Sequence, residues 1–278
     1  MKYLIIFFST IIICIFTAGL LFNSYYTPCK KRKPYRLSTT NQDTLQIVFI
    51  GDSWAFFHKP HDLVASEMLS DMLQYPVRFR SFGVCGLTSK EIYEQLFDND
   101  SLKHFLNKGC HYCVLSAGIN DTYKKMSTDY YAKSMEAILL FFLYNNVTPL
   151  LIEIPNYDIE KCYQRQTVTR KAVRQLSMLI NNTPIDCKQM FREALDCILT
   201  DYKEKVILLH YQDWNSHYAE DLQHLYKEDG LHLNAVGYSI LDQQIGVCLL
   251  RQINYFNSKN NKNECDKEKK GNVFPYLK

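Results

Sequence analysis

Leu45-Gln46-Ile47-Val48-Phe49-Ile50-Gly51-Asp52-Ser53-Trp54 is the stretch on which the fold turns. An apolar run rich in β-branched residues, Leu45 to Ile50, stops at a glycine, and a serine follows two residues later. A short apolar run bounded by a turn signal reads as a buried strand. Gly51 lets the chain turn sharply, because glycine has no Cβ to clash at unusual dihedrals. The turn presents the Ser53 hydroxyl at the carboxyl edge of a sheet, where open α/β folds hold their chemistry. Taken alone, a serine after a strand is more often a turn residue or a helix N-cap. The far end of the chain shifts the balance, with Glu228-Asp229-Gly230-Leu231-His232-Leu233-Asn234.

Outward from Leu45 the pattern alternates. Strand-like runs fall at Leu45–Ile50, Val77–Phe82, Tyr112–Ser116, Pro149–Ile154 and Val206–His210. Helical patterns lie between them at about Pro60–Leu73, Ser89–Phe97, Tyr130–Tyr144 and Val168–Leu179, with extra helical sequence at Gln189–Tyr202. A last apolar-periodic stretch, Ala235–Ile253, closes the domain. Five strands with helical crossovers predict a parallel sheet covered on both faces. The expected organisation is an N-terminal apolar segment over residues 1–22, a polar linker over 23–44, the α/β domain over 45–254, and a polar, disordered tail over 255–278.

Composition narrows the function. With 47% hydrophobic and 22% charged residues, the 278-residue chain suits one globular domain with a sizeable core plus extras. A net charge of +3 is too mild to imply a nucleic-acid partner. Residues Tyr3 to Phe22 form an almost unbroken apolar run, near the roughly 20 residues a membrane-spanning helix needs. Thr17-Ala18-Gly19 is a poor cleavage site, so a retained membrane anchor is expected, with a removed signal as the alternative. Lys30, Lys31, Arg32, Lys33 and Arg36 follow the run, and counted simply they put the domain on the cytoplasmic side. Large domains translocate despite such flanks, and an extracytoplasmic domain is the preferred reading. Cys85, Cys113 and Cys248 read as buried thiols, while Cys162, Cys187 and Cys197 are candidates for pairing if the domain is exported. Cys110-His111-Tyr112-Cys113 has the spacing of a metal or redox pair but lacks a companion pair and enters a strand.

Ser53 needs a base, since an unassisted hydroxyl is a poor nucleophile near neutral pH. Of the four late histidines, His210, His217, His224 and His232, only His232 has a carboxylate three residues earlier across a glycine. Gly230 makes that segment turn, so Asp229 can reach the Nδ1 of His232 and leave Nε2 facing a nucleophile. A developing oxyanion also needs donors. Gly86, after the second strand, offers a backbone N–H, with Gly83 as a nearby competitor; Asn120, after the third, offers a side-chain amide.

Together these residues resemble the SGNH hydrolases, also called the GDSL esterase/lipase family. Gly51-Asp52-Ser53 is similar to the family's first block, Gly86 to the glycine of its second, and Gly118-Ile119-Asn120-Asp121 to its third. Asp229-Gly230-Leu231-His232-Leu233-Asn234, followed by Gly237-Tyr238, is similar to the last. The resemblance runs from Leu45 to about Leu250. It implies a flavodoxin-like, three-layer α/β/α sandwich around a five-stranded parallel sheet. It also implies Ser53 as nucleophile, His232 as general base, Asp229 as its orienting partner, and an oxyanion hole of Ser53 N–H, Gly86 N–H and the Asn120 side chain. Trp54 departs from the pattern, which has leucine there. No cofactor or metal is implied. The expected substrate is an acyl ester on a carbohydrate or lipid, acetylated glycans slightly favoured. An acyltransferase with the same triad, or a binding domain without catalysis, is the alternative. Other hydrolase signatures are missing: there is no Gly-x-Ser-x-Gly elbow and no zinc-protease helix.

Overall fold

The computed structural model describes residues 23–38 and 43–265, with isolated positions 7, 9, 10, 17 and 19 before them and side chains as far as 255. Among the described residues no helix is long and apolar enough to cross a membrane. The expected anchor lies for the most part outside them, as does the tail from 266.

Five strands form one sheet: β1 (Leu45–Gly51), β2 (Val77–Gly83), β3 (Tyr112–Ser116), β4 (Thr148–Ile152) and β5 (Ile207–Leu209). The order is β2-β1-β3-β4-β5 and every pairing is parallel. β1 sits in the sheet interior, and Ile47, Val48, Phe49 and Ile50 are all but inaccessible. That is why this strand reads as a continuous apolar run rather than an alternating one. The register aligns Gly51 with Gly83 on one side and with Ser116 on the other. Three turns therefore leave the sheet side by side at its carboxyl edge.

The chain then builds α1 (Ser53–His58), α2 (Asp62–Leu73), α3 (Ser89–Asp98), α4 (Asp100–Leu106), α5 (Ile119–Lys124), α6 (Thr128–Tyr144), α7 (Ile159–Gln164), α8 (Val168–Asn181), α9 (Lys188–Leu199), α10 (Tyr218–Leu225) and α11 (Ala235–Cys265). α2 and α11 pack together on one face of the sheet, and α3, α6 and α9 pack together on the other. A capping box starts α3: Thr88 Oγ1 accepts from Glu91 N–H, and Glu91 accepts from Thr88 N–H at 2.7 Å. Such a box satisfies two otherwise orphaned donors of the first turn.

Several expectations need correction. The helix expected to end at Ile253 runs on to Cys265, into the stretch read as a disordered tail. No glycine or proline stops it before Gly271. Residues 28–38 of the expected linker are bound to the domain rather than free of it. Tyr35 packs edge-on against Phe97 and Phe141, and its hydroxyl donates to Leu96 O at 2.9 Å. Asn145 clasps the strap from both sides, accepting from Leu37 N–H and donating to Tyr35 O. The strap was illegible because its anchors are isolated side chains with no period. Cys113 and Cys248 are buried, but Cys85 is exposed, since it sits in a turn after β2 and not in a strand. Cys162, Cys187 and Cys197 are free thiols, standing on α7, at the start of α9 and within α9.

Candidate active site

Ser53 opens α1 directly after the β1 turn. Asp52 caps this helix, its Oδ1 accepting from Trp54 N–H at 3.0 Å. Ser53 is buried to 8% exposure. Its Oγ lies 2.9 Å from His232 Nε2, although the two residues are 179 positions apart. His232 Nδ1 lies 2.7 Å from Asp229 Oδ2. The second oxygen, Asp229 Oδ1, accepts from the backbone N–H groups of Leu231 and His232, both at 2.9 Å. The loop thus closes on itself and fixes the imidazole by ring and backbone together. Burial pushes the Asp229 carboxyl up, but the His232 ring and the two N–H donors outweigh it and hold the pKa below its ordinary value. The carboxylate is therefore charged at neutral pH and favours the tautomer with a proton on Nδ1 and a bare Nε2 toward Ser53.

The His232 ring is enclosed on its flanks. Phe57 meets the His232 ring edge-on at 5.0 Å, and Lys227 Nζ lies 4.1 Å from the centre of the Phe57 ring. Trp54 is fully buried, donates Nε1–H to Leu231 O at 3.2 Å, and packs edge-on against Trp214. Its indole thus ties α1 to the histidine loop.

Asn120 and Gly86 sit on the two neighbouring turns. Asn120 Nδ2 donates to Asp52 Oδ2 at 3.3 Å, and Ser116 Oγ donates to Asp52 Oδ1 at 2.9 Å. Burial pushes the Asp52 carboxyl up to about 6 against the opposing pull of the Trp54 N–H, the Ser116 hydroxyl and the nearby His232. Asp52 therefore joins the turns after β1 and β3, a role that sequence reasoning missed. The signal was present, as an aspartate one residue before a helix is a common N-cap. Asp121 turns away from the cleft. It is fully buried, accepts from Ser89 N–H and Oγ–H at 2.9 and 2.6 Å, and is pushed by burial up to about 7.

The two glycines after β2 have separate reasons. A Cβ on Gly83 would lie 2.1 Å from Phe56 N and 2.5 Å from Asp52 O, so its bareness lets α1 seat on β2. Gly86 has φ +81 and open space where a Cβ would stand, and it is exposed. Its bareness serves backbone conformation.

His58 and His61, on the same side of the chain as Ser53, are not brought to the nucleophile. His58 is fully buried, with Nε2 2.8 Å from Asp242 Oδ1 and Nδ1 2.8 Å from Ser81 Oγ and 3.1 Å from Asp62 Oδ1. Burial pulls its pKa down, yet the bonds to Asp242 and Asp62 prevail and raise it to about 9. This charged cluster pins the far end of α1 to β2, α2 and α11. Among the described residues no group of histidine, cysteine and acidic side chains is arranged to hold a metal ion.

No protein-family model matches the chain, and no curated protein matches it significantly. Solved structures do. A lipase/acylhydrolase from Enterococcus faecalis superimposes with a TM-score of 0.53 at 16% identity, over 73% of this chain and 93% of its own. The psychrotrophic esterase EstA from Pseudoalteromonas, in a structure inhibited by monoethylphosphonate, gives 0.52 at 15% identity over 77% and 100%. A variant of the acetyl xylan esterase Axe2 from Geobacillus stearothermophilus gives 0.50 at 16% identity over 78% and 96%. At these identities the likeness is one of architecture. The chain has the α/β fold of the SGNH, or GDSL, lipases, acylhydrolases and esterases.

Proposed function

We propose that the protein is a serine ester hydrolase of the SGNH type, acting through an acyl-enzyme on Ser53. The observation that carries this reading is the unbroken row from Ser53 Oγ to His232 Nε2 at 2.9 Å and from His232 Nδ1 to Asp229 Oδ2 at 2.7 Å. A nucleophile, a base within hydrogen-bond reach and an orienting carboxylate are the parts that acyl transfer needs. As Ser53 Oγ bonds to the ester carbon, its proton passes to His232 Nε2. The carbonyl π electrons move onto oxygen, and Ser53 N–H, Gly86 N–H and the Asn120 amide are the donors for that charge. The imidazolium, stabilised by Asp229, gives its proton to the departing alkoxide. Water then attacks the acyl carbon with His232 as base, and Ser53 is released with its proton restored.

The substrate class is an acyl ester carried on a carbohydrate or a lipid. Residues 3–22 act as a retained membrane anchor, supported by the length and apolarity of the run, and the mature protein keeps Met1 or Lys2 when extracted and weighed intact. A fluorophosphonate probe tests the mechanism. It labels the wild type and spares Ser53→Ala, which also loses nearly all esterase activity with its fold intact. Equal labelling of the two proteins would sink the serine-hydrolase reading.

A further inference from the structure

α8 is mounted inside out. Its inward side chains include Arg174, 3% exposed, and Ser177, 1% exposed. The Arg174 guanidinium lies over the rings of Tyr123 and Tyr163, at 4.3 and 5.0 Å from their centres. Its outward side chains are mostly apolar: Val168 is 84% exposed and Leu179 81%, and Val173, Leu176 and Ile180 are exposed with them, alongside the polar Thr169 and Gln175. At about 100° per residue the five apolar residues fall within one arc of roughly 140°. A surface helix of a globular domain ordinarily turns such an arc inward, and a contiguous exposed apolar face marks an interaction site.

Position and charge decide the occupant. The chain leaves the apolar run at Phe22 and is bound at once to this side of the domain. Lys90 Nζ donates to Ser24 O and Thr27 O, and the Tyr26 hydroxyl hydrogen-bonds Ser177 of α8 itself. The point where the run emerges is therefore fastened to the inverted helix. Tyr25 and Tyr26 stand at that point, and tyrosines favour the level of lipid headgroups. Lys161, Arg165, Arg170 and Lys171, on α7 and around the start of α8, outnumber Asp158 and Glu160 there and suit anionic headgroups.

We infer that α8 lies in the surface of a lipid bilayer, its Val168–Ile180 apolar face in the acyl boundary and its polar face against the domain. The inference rests on the reading of residues 3–22 as an anchor and is independent of catalysis. It fixes the orientation of the domain as well as its tether. α7 abuts the catalytic loop through Arg165, whose Nη1 donates to Asp229 O at 3.5 Å, so docking along α8 brings the cleft close to the lipid surface.

Tryptophan reporters in the full-length protein test it, because the native Trp54 and Trp214 are buried. Leu176→Trp, Leu179→Trp and, on exposed α2, Asp71→Trp are reconstituted into vesicles of brominated phosphatidylcholine and phosphatidylglycerol. The first two lose most of their added emission to the bromolipid and shift to the blue, whereas the Asp71 reporter does neither. Ile180→Trp supplies a third reporter should either leucine variant fail to fold. Quenching of the α8 reporters by aqueous iodide in place of bromolipid overturns the inference and leaves the anchor standing. Protection from both quenchers also overturns it, in favour of cover by protein, whether the N-terminal segment or a second copy. Failure of the protein to remain with the vesicles overturns both docking and anchor while leaving the esterase reading untouched.

Discussion

Gly83→Ala isolates the seat of the nucleophile helix from the chemistry. The added Cβ would stand 2.1 Å from Phe56 N, 2.5 Å from Asp52 O and 2.7 Å from Ala55 C, all backbone atoms at the head of α1. Ordinary contact begins near 3.4 Å, and no side-chain rotation relieves a clash with backbone, so α1 must retreat by about 1 Å. Overpacking of this kind costs about 1–3 kcal/mol of stability, or about 2–4 °C of the unfolding midpoint per kcal/mol. The retreat also carries Ser53 Oγ out of its 2.9 Å contact with His232. A misplacement near 1 Å costs on the order of 10²-fold in rate, about 2.7 kcal/mol of barrier. The assay is kcat/KM on a short-chain p-nitrophenyl ester, with the fluorophosphonate labelling rate alongside, both well below the variant's unfolding midpoint. A lowered midpoint with an unchanged labelling rate would refute the claim that the β2 seat positions Ser53.

Three further outcomes follow from the same geometry. Asp229→Asn removes the charge that orients His232 and is expected to lower kcat roughly 10⁴-fold, with secondary structure by circular dichroism unchanged; a loss below tenfold would separate Asp229 from the base. Ser53→Ala combined with His232→Ala should cost little more than Ser53→Ala alone, because the two act as one unit, and steady-state rates multiplying in the double variant would contradict a shared step. His58 holds its proton in the folded state up to about 9 against an ordinary 6.5. Its contribution is therefore complete below pH 6.5 and is lost as pH rises through 9, on the order of 2–3 kcal/mol. Urea unfolding across that window shows the decline in the wild type and a flatter course in His58→Gln; an equal decline in both assigns the proton to another group.

Much of the frame could be read before any coordinates, for physical reasons. β1, β3 and β4 are buried on both faces, so their sequences are short unbroken apolar runs, and the boundaries agree to within a residue or two. Ser53, Asn120 and the Asp229–His232 loop stood out as candidates because each lies beside a glycine turn at a strand end or in a loop. The short helices α1, α4, α5, α7 and α10 escaped, because six to eight residues hold too few turns to display a period. α1 hides further, since Trp54, Ala55, Phe56 and Phe57 give an apolar run with no polar face. The link from Asp52 to Ser116 and Asn120 joins residues 64 and 68 positions apart, and the His58–Asp242 pair spans 184. Neither spacing leaves a trace in linear sequence. The inverted mounting of α8 was equally hidden, because periodicity shows that a helix is two-sided but not which side faces the domain.

Asp229 and His232 are held by bonds within four consecutive residues, while Ser53 stands just after the first strand of the sheet. During synthesis Ser53 leaves the ribosome long before His232 is translated. The loop lies against Trp54, Phe57, Arg165 and Tyr218, all of them made before it. A growing chain therefore carries a harmless serine for most of its manufacture. Ser53 meets His232 only near the end of translation, once residues 229–232 have been made.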